Sequence, residues 1–365
     1  MRREELAALV ALHDTAKWGQ RSLWKVKQHF GSMATAVNAG RDELLAAGLR
    51  TDAVDEWCSR RPAAERRMER LEELSAEGIG FCCVDDEDYP ELLKNIFNPP
   101  YVFYYYGSLA AVHEACLAIV GSRAATPYGL KQAGLLAQEL AAAGFTIVSG
   151  MARGIDTAAH RGALSAGGRT AAVLGSGIRV VYPPENRKLY DEIALNGVVI
   201  SDFPVDMIPD PKNFPVRNRI ISGLSYGTVI VEAAAKSGAL ITADAALEQG
   251  RDVFALPGPV SSRQSEGCHH LIRQGAMLVT SAKDILQEYE HLQKHAIAEK
   301  QEPLWPAAAA GLEDAILSLL DTEPCHVDNL MTELNCGLGE LSAALIELEL
   351  KGRISAMPGN CYVRL

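Results

Sequence analysis

The spacing of apolar positions changes along the chain. Over residues 1–75, Leu6, Leu9, Val10 and His13 follow helical spacing, and Gly31-Ser32, Gly40 and Gly48 cut the stretch into short segments. From residue 78 the period shortens. GIGFCCVDD and PPYVFYYYG read as strands, the second rich in aromatic residues suited to a pleated surface. A regular alternation follows. Apolar runs at 117–121, 146–150, 171–175, 198–202, 228–232, 253–256 and 276–279 predict strands, and Ala-rich segments such as 128–143 and 157–166 predict the helices between them. After residue 290 the pattern lapses over HLQKHAIAEKQEPLWPAAAA, then resumes as three helices, 312–320, 326–334 and 338–351, and a hairpin with Pro358-Gly359 at its turn.

Continuous apolar strands alternating with helices indicate a parallel sheet covered on both faces. The expected class is therefore α/β: a Rossmann-like, doubly wound, mostly parallel sheet over residues 76–290. It is flanked by a helical domain over 1–75 and, beyond a linker at 291–310, a winged-helix-like domain over 311–365. The stretch FGSMATAVNAGRDELLAAGL has the look of a SAM-like or helix-hairpin-helix module, and a helical packing cap fits it equally. Ligands of a doubly wound sheet bind at the carboxyl ends of its strands.

Composition narrows the class. The 365 residues are 48% hydrophobic and 22% charged, as in ordinary globular proteins. The net charge of −11 argues against binding anions by bulk charge. That charge is uneven, however. Residues 1–110 carry 14 basic and 18 acidic side chains, residues 111–290 carry 16 and 17, and residues 291–365 carry 5 and 11. The middle is nearly neutral, and its cations fall largely in Gly- or Pro-containing stretches: Arg123, Arg153, Lys212, Arg217 and Arg219. The eight Cys form no C-x-x-C pair, which fits reduced thiols in a cytosolic protein. Cys268-His269-His270 lacks a second ligand pair at zinc-like spacing, so no metal is expected. The amphipathic N-terminus lacks a signal-peptide core, and no run of about 20 apolar residues predicts a membrane span.

Four strand ends carry candidate chemistry. In IVGSRAATPYG, Gly121-Ser122 lies between a strand end and a helix opened by Thr126-Pro127, where free N–H groups and the positive helix end suit an anion. Arg123 adds a planar fork for phosphate; a tight turn with a solvated Arg is the bland reading. In VSGMARGIDTAAHRGAL, Gly150 and Gly154 permit close backbone approach. Asp156 and His160 share a helix face, as a catalytic pair or, more commonly, as a hydrogen-bonded pair that fixes the turn. In AVLGSGIRVVYPPEN, Gly175-Ser176-Gly177 suits a phosphate or a base. In DFPVDMIPDPKNFPVRNRIISGLS, prolines hold an extended loop in which Lys212 and Arg217 can neutralise phosphates and Phe214 offers a stacking ring. A structural Pro loop with Phe214 buried is the competing reading. Glu232, at a fifth strand end, either orients neighbouring Arg or hydroxyl groups or is a catalytic carboxylate.

GSRAATPYG, IVSGMARGIDTAAHRGAL, VLGSGIRVVYPPEN, FPVRNRIISGLS, VIVEAAAKSGALITADAALEQGRDVFALPG and GCHHLIRQGA occur in order over about residues 116–275. Together they resemble the DNA-processing protein A family (DprA, or Smf), whose longer members have similar flanking domains. The resemblance implies a bacterial cytosolic protein, without enzymatic activity or cofactor, that binds single-stranded DNA entering in natural transformation. It also implies that the protein helps displace single-strand-binding protein, loads the recombinase RecA and forms a homodimer through the Rossmann-like domain. Carried over by motif, Gly121, Ser122 and Arg123 would hold the DNA backbone, and Lys212, Phe214, Arg217 and Asn218 would supply phosphate contacts and stacking. Gly150 and the turn from Gly175 to Gly177 would shape the pocket floor.

Two other readings stand beside it. Phosphoribohydrolases of the same superfamily look similar around P-G-G-x-G-T-x-x-E. Here Gly227-Thr228 and Glu232 remain, but the Pro-Gly-Gly is absent and the Glu lies one residue further on. An adaptor built on two helical modules would leave the basic Pro loop unexplained. The last helix carries Glu340, Glu347 and Glu349 and no basic residue before Lys351, so the winged helix reads as a protein-interaction or packing module.

Overall fold

The computed structural model describes residues 3–14, 18–292, 312–320, 324–334, 336–357 and 359–364. Residues 1–293 form one compact unit and residues 294–365 another. The expected linker lies outside the described residues from 293 onward.

Six helices open the first unit: α1 Arg3–His13, α2 Gln20–Phe30, α3 Met33–Ala36, α4 Arg41–Ala46, α5 Thr51–Arg60 and α6 Ala64–Ala76. Gly31 ends α2 at φ 70°, in the left-handed region. Ser32 caps α3, and the Glu5 carboxylate accepts from the N–H groups of Met33 (2.6 Å) and Ala34 (3.0 Å) at the positive end of that short helix. The helices do not pack by themselves: Leu9, Leu12, Trp18 and Trp57 share one core with Cys83, Phe103, Ala118 and Ile200 of the sheet. His13, at an apolar helical position, is buried against Tyr104 Oη at 3.2 Å. The Gln20 amide also ties the two layers, donating to the carbonyls of Val102 (3.0 Å) and Asp202 (2.7 Å).

The chain then forms β1 Ile79–Cys83, short helix α7 Glu91–Lys94, β2 Val102–Gly107 and short helix α8 Ala110–His113. The alternation expected beyond residue 110 follows: β3 Cys116–Val120, α9 Pro127–Ala142, β4 Thr146–Ser149, α10 Ile155–Ser165, β5 Thr170–Val173, α11 Arg187–Asn196, β6 Val198–Ser201, α12 Asn213–Gly223, β7 Gly227–Ile230, α13 Gly238–Glu248, β8 Asp252–Ala255, α14 Glu266–Arg273, β9 Met277–Leu278 and α15 Ala282–Glu288. The nine strands are ordered β1-β2-β6-β5-β4-β3-β7-β8-β9. β1 and β2 run antiparallel at one edge, and the seven from β6 to β9 are parallel. The chain steps outward from β3 to β6 and then returns to the opposite side of β3. A crevice opens at that reversal, between the carboxyl ends of β3 and β7.

One expectation fails here. The prolines predict that the extended loop runs on through Phe214 and Arg217, but the segment is helical from Asn213. Pro215 stands in the first turn of α12, where a missing N–H costs the helix no bond.

The second unit holds α16 Leu312–Leu319, β10 Cys325–His326, α17 Val327–Leu334, α18 Leu338–Leu350, β11 Ile354–Met357 and β12 Cys361–Arg364. Its sheet is ordered β10-β12-β11 over a core including Ile316, Leu330, Leu341, Leu345 and Ile354. The β11–β12 turn places Gly359 and Asn360 at φ 86° and 54°. This is a winged helix.

Candidate nucleic-acid interface

A cleft of about 630 Å³ fills the reversal point of the sheet. The loop after β3 forms one wall and the start of α12 the other, and the β7–α13 loop closes the end.

The first wall is built from the inside. Ser122 N–H donates to the Glu232 carbonyl at 2.7 Å, clamping the loop after β3 to the loop after β7. The buried Glu232 carboxylate accepts from Thr126 N (2.9 Å) and Thr126 Oγ1 (2.5 Å), and Thr126 Oγ1 in turn accepts from Gly129 N at 3.2 Å to cap α9. Of the alternatives for Glu232, the structure therefore supports orientation of a hydroxyl. The carboxylate is 3% exposed and absent from the cleft lining. The N-terminus of α9 is thereby fixed with Ser122, Arg123 and Ala124 turned into the cleft.

The floor holds a buried charge pair. Arg217, expected to reach phosphates, is 2% exposed. It donates to the carbonyls of Gly150 (3.0 Å) and Val173, and from Nε to Asn218 Oδ1 (3.2 Å). Its helix turns it inward, which the loop reading did not foresee. Asp156 lies beside it, accepting from Ala152 N at 3.3 Å. Burial pushes the Asp156 carboxyl up to about 6, against the opposing pull of Arg217, the Ala152 N–H, Arg123 and Ser149. Burial likewise lowers Arg217 to about 10. Asp156 and His160 do not bond to each other. His160 Nδ1 pairs with Thr170 Oγ1 at 2.6 Å, and burial together with the Arg217 charge lowers the imidazole to about 3. His160 is thus a neutral core residue, which removes the catalytic pair.

Above the floor stands Phe214, half-buried. The Arg123 guanidinium lies 4.6 Å from its ring centroid, Arg217 lies at 6.0 Å, and the Tyr182 ring centroid is 5.7 Å away. The expected glycines act as clearances. A Cβ would stand 2.6 Å from Ile155 at Gly121, 2.6 Å from the Arg217 guanidinium at Gly150, 2.6 Å from the Phe214 ring at Gly175 and 2.2 Å from the Val205 carbonyl at Gly177. Asn218 lines the cleft and donates to the Gly238 carbonyl at 3.3 Å. Lys212 is exposed at the start of α12, outside the cleft lining.

Sequence reasoning missed Lys236 and Gln264. Lys236 is an exposed cation lining the cleft, with no side-chain partner among the described residues. The Gln264 amide donates to the Ala124 carbonyl at 3.2 Å while its oxygen stays unpaired. A Lys in the loop between a strand end and the next helix was the available signal for the first; nothing local marked the second. Arg153, which does not line the cleft, forms an ion pair with Glu185. Cys268 bonds the Ile230 carbonyl and His269 the Gly258 carbonyl, so these neighbours diverge. Among the described residues no group of three His, Cys, Asp or Glu could hold a metal, and no helix is long and apolar enough to cross a membrane.

Comparison with known proteins agrees with this architecture. The family model for DNA recombination-mediator protein A matches residues 80–290, and that for the DprA winged helix domain matches residues 300–360. Protein Smf of Escherichia coli is 42% identical over 287 residues, 77% of this chain and 76% of that protein. The X-ray structure of DNA processing protein A from Streptococcus pneumoniae superposes with a TM-score of 0.65 at 36% identity, covering 79% of this chain and 98% of that one. A structure of DNA processing protein A from Helicobacter pylori, described for its single-stranded DNA binding mode, superposes with a TM-score of 0.53 at 29% identity, covering 58% of this chain and 96% of that one.

Proposed function

The chain belongs to the DNA-processing protein A family (DprA, or Smf), and from that premise we propose that it holds single-stranded DNA in the cleft at the sheet's reversal point without altering it chemically. The observation that carries this reading is the Arg123–Phe214 stack between the loop after β3 and the first turn of α12. It combines a phosphate-binding fork with an aromatic surface, and Lys212 and Lys236, whose side chains have no partner among the described residues, extend the charge. The single-stranded DNA binding described for the Helicobacter pylori relative supports a single strand as the ligand.

Phosphate contacts carry no sequence information, and stacking contributes about 1–3 kcal/mol per base for any base. The protein thus takes strands of any sequence. In the cell it protects incoming single strands in the cytoplasm during natural transformation, displaces single-strand-binding protein and loads RecA. A homodimer presenting two clefts to one strand gains avidity beyond either cleft alone. The phosphoribohydrolase reading needs Glu232 at the ligand, whereas that carboxylate is committed to Thr126.

The test is fluorescence anisotropy with single- and double-stranded oligonucleotides across a salt series. Arg123→Ala and Lys212→Ala should each weaken single-strand binding and flatten its salt dependence. Unchanged affinity and slope in both variants would overturn the site. Release of free base from nucleoside monophosphates would overturn the non-enzymatic reading.

A further inference from the structure

A second groove, of about 530 Å³, runs between α9 and α10. The two helices approach closely because small residues meet there: a Cβ on Gly162 would stand 2.2 Å from the Gly134 carbonyl. Lys131 on α9 and Arg161 on α10 line the groove, both exposed and neither with a hydrogen-bond or ion-pair partner among the described residues. No Asp or Glu lines it, and none stands three or four residues from either cation along its helix. Two uncompensated cations on one groove repel each other, and an anion lying along the groove relieves that repulsion. Leu130 and Leu135, 41% and 40% exposed, add apolar surface beside the charges.

The groove adjoins the cleft. Gly154 lines the groove and lies directly against the wall of the cleft, where a Cβ on it would stand 2.3 Å from the Ser122 carbonyl and 2.9 Å from that of Arg123. Ser122 and Arg123 are cleft residues. From Leu130 to Gln138 the α9 side of the groove extends about 12 Å further.

We propose that the α9–α10 groove is a second stretch of the single-strand track, in which Lys131 and Arg161 each take a backbone phosphate of a strand whose neighbouring nucleotides occupy the cleft. The inference rests on the cleft reading and extends the contact surface to a helix pair that none of the strand-end motifs includes. Short strands then engage the cleft alone, and longer ones also fill the groove.

The experiment measures binding of oligothymidylates, from about six to about thirty nucleotides, to the full chain and to the double variant Lys131→Ala/Arg161→Ala. The shortest strand that binds should bind both proteins equally. On long strands the variant should lose affinity, and its salt slope should fall by about 1.4, for two lost phosphates at about 0.7 each. Between about 50 and about 200 mM salt the wild type should therefore weaken about sevenfold more than the variant. Lys131→Arg should retain the wild-type slope. A double variant with the wild-type length dependence and slope would overturn the groove assignment alone, and is also the result expected if the groove takes an acidic protein segment instead. A wild-type chain that binds no single strand would overturn the cleft reading together with it.

Discussion

The guanidinium of Arg123 lies 4.6 Å over the ring of Phe214, joining the loop after β3 to the first turn of α12. The two residues are far apart in sequence, and neither has its stacking geometry without the other. A cation over an aromatic face contributes about 0.5–2 kcal/mol, depending on its desolvation. Arg123→Ala and Phe214→Ala should each weaken single-strand binding, while the double variant should be less impaired than the two losses combined. A coupling of about 1 kcal/mol in that cycle, read by anisotropy, is the expected result. Strictly additive losses would show that the two side chains act independently.

Gly175 tests the same pair from below. A methyl group there would stand 2.6 Å from Phe214 Cδ1, closer than packed atoms approach, so the ring must move. Gly175→Ala should cost about tenfold in single-strand affinity, a loss of about 1.4 kcal/mol. The thermal midpoint should change little, because a half-buried ring at the cleft has room to shift. A fall in midpoint with unchanged affinity would mean that the glycine serves the fold and not the ligand.

The sequence was most legible where one local signal sufficed. Each buried strand from β3 to β8 appears as a short apolar run, displaced by at most two residues at its ends. Gly121, Gly150 and Gly175 were visible as strand-end punctuation. Less legible was whatever depends on packing between distant segments. The prolines at 211 and 215 suggested an extended loop, yet Pro215 fits the first turn of α12, and that helix rotates Arg217 under the cleft. Asp156 and His160 are four residues apart on one helix, but their partners come from elsewhere: Arg217 acts on Asp156, and Thr170 holds His160. For the N-terminal helices a SAM-like module and a packing cap stayed equally open, because helical spacing does not reveal which surface a helix covers. They complete the core on one face of the sheet.

Asp156 should make binding depend on pH. Its carboxyl titrates near 6 in the folded chain against an ordinary value of 3.8, so the folded state holds the proton more tightly. That difference, about 3 kcal/mol, favours folding at low pH and is lost as pH rises from about 4 to about 6. Within the cleft the same proton removes a negative charge from the lining. Single-strand affinity should therefore rise as pH falls from about 7.5 to about 5, and Asp156→Asn should flatten the profile. His160, lowered to about 3, stays neutral over this range. An unchanged profile in Asp156→Asn would place the titrating group elsewhere.

Arg217 should behave as a folding residue. Arg217→Met leaves Asp156 without its nearest opposing charge and leaves the carbonyls of Gly150 and Val173 without its N–H groups. Removing one partner of a buried charge pair costs about 3–5 kcal/mol. Urea denaturation should register a loss of that order, in contrast to Arg123→Ala, whose side chain is exposed. Equal stability of the two variants would contradict the buried assignment.

The winged helix tests whether a DNA-associated fold must itself touch DNA. Such folds commonly lay one helix in the major groove. In α18 the exposed residues include Glu340, Glu347 and Glu349, and the nearest cation, Lys351, is paired with Glu347 at 3.1 Å. Residues 291–365 carry 5 basic and 11 acidic side chains. Bringing this surface to a phosphate backbone sets like charges together with no counterions to release, so it opposes binding by any route. The unit has its own core, and the first unit has its own, so removing residues 303–365 should leave residues 1–293 folded. Single-strand affinity should then stay within about twofold of the full chain at moderate salt and rise slightly at low salt, where the acidic segment repels the strand over a longer Debye length. A large loss of affinity would mean that the acidic helix is not the contacting face, and that the wing or the segment before it meets the DNA instead.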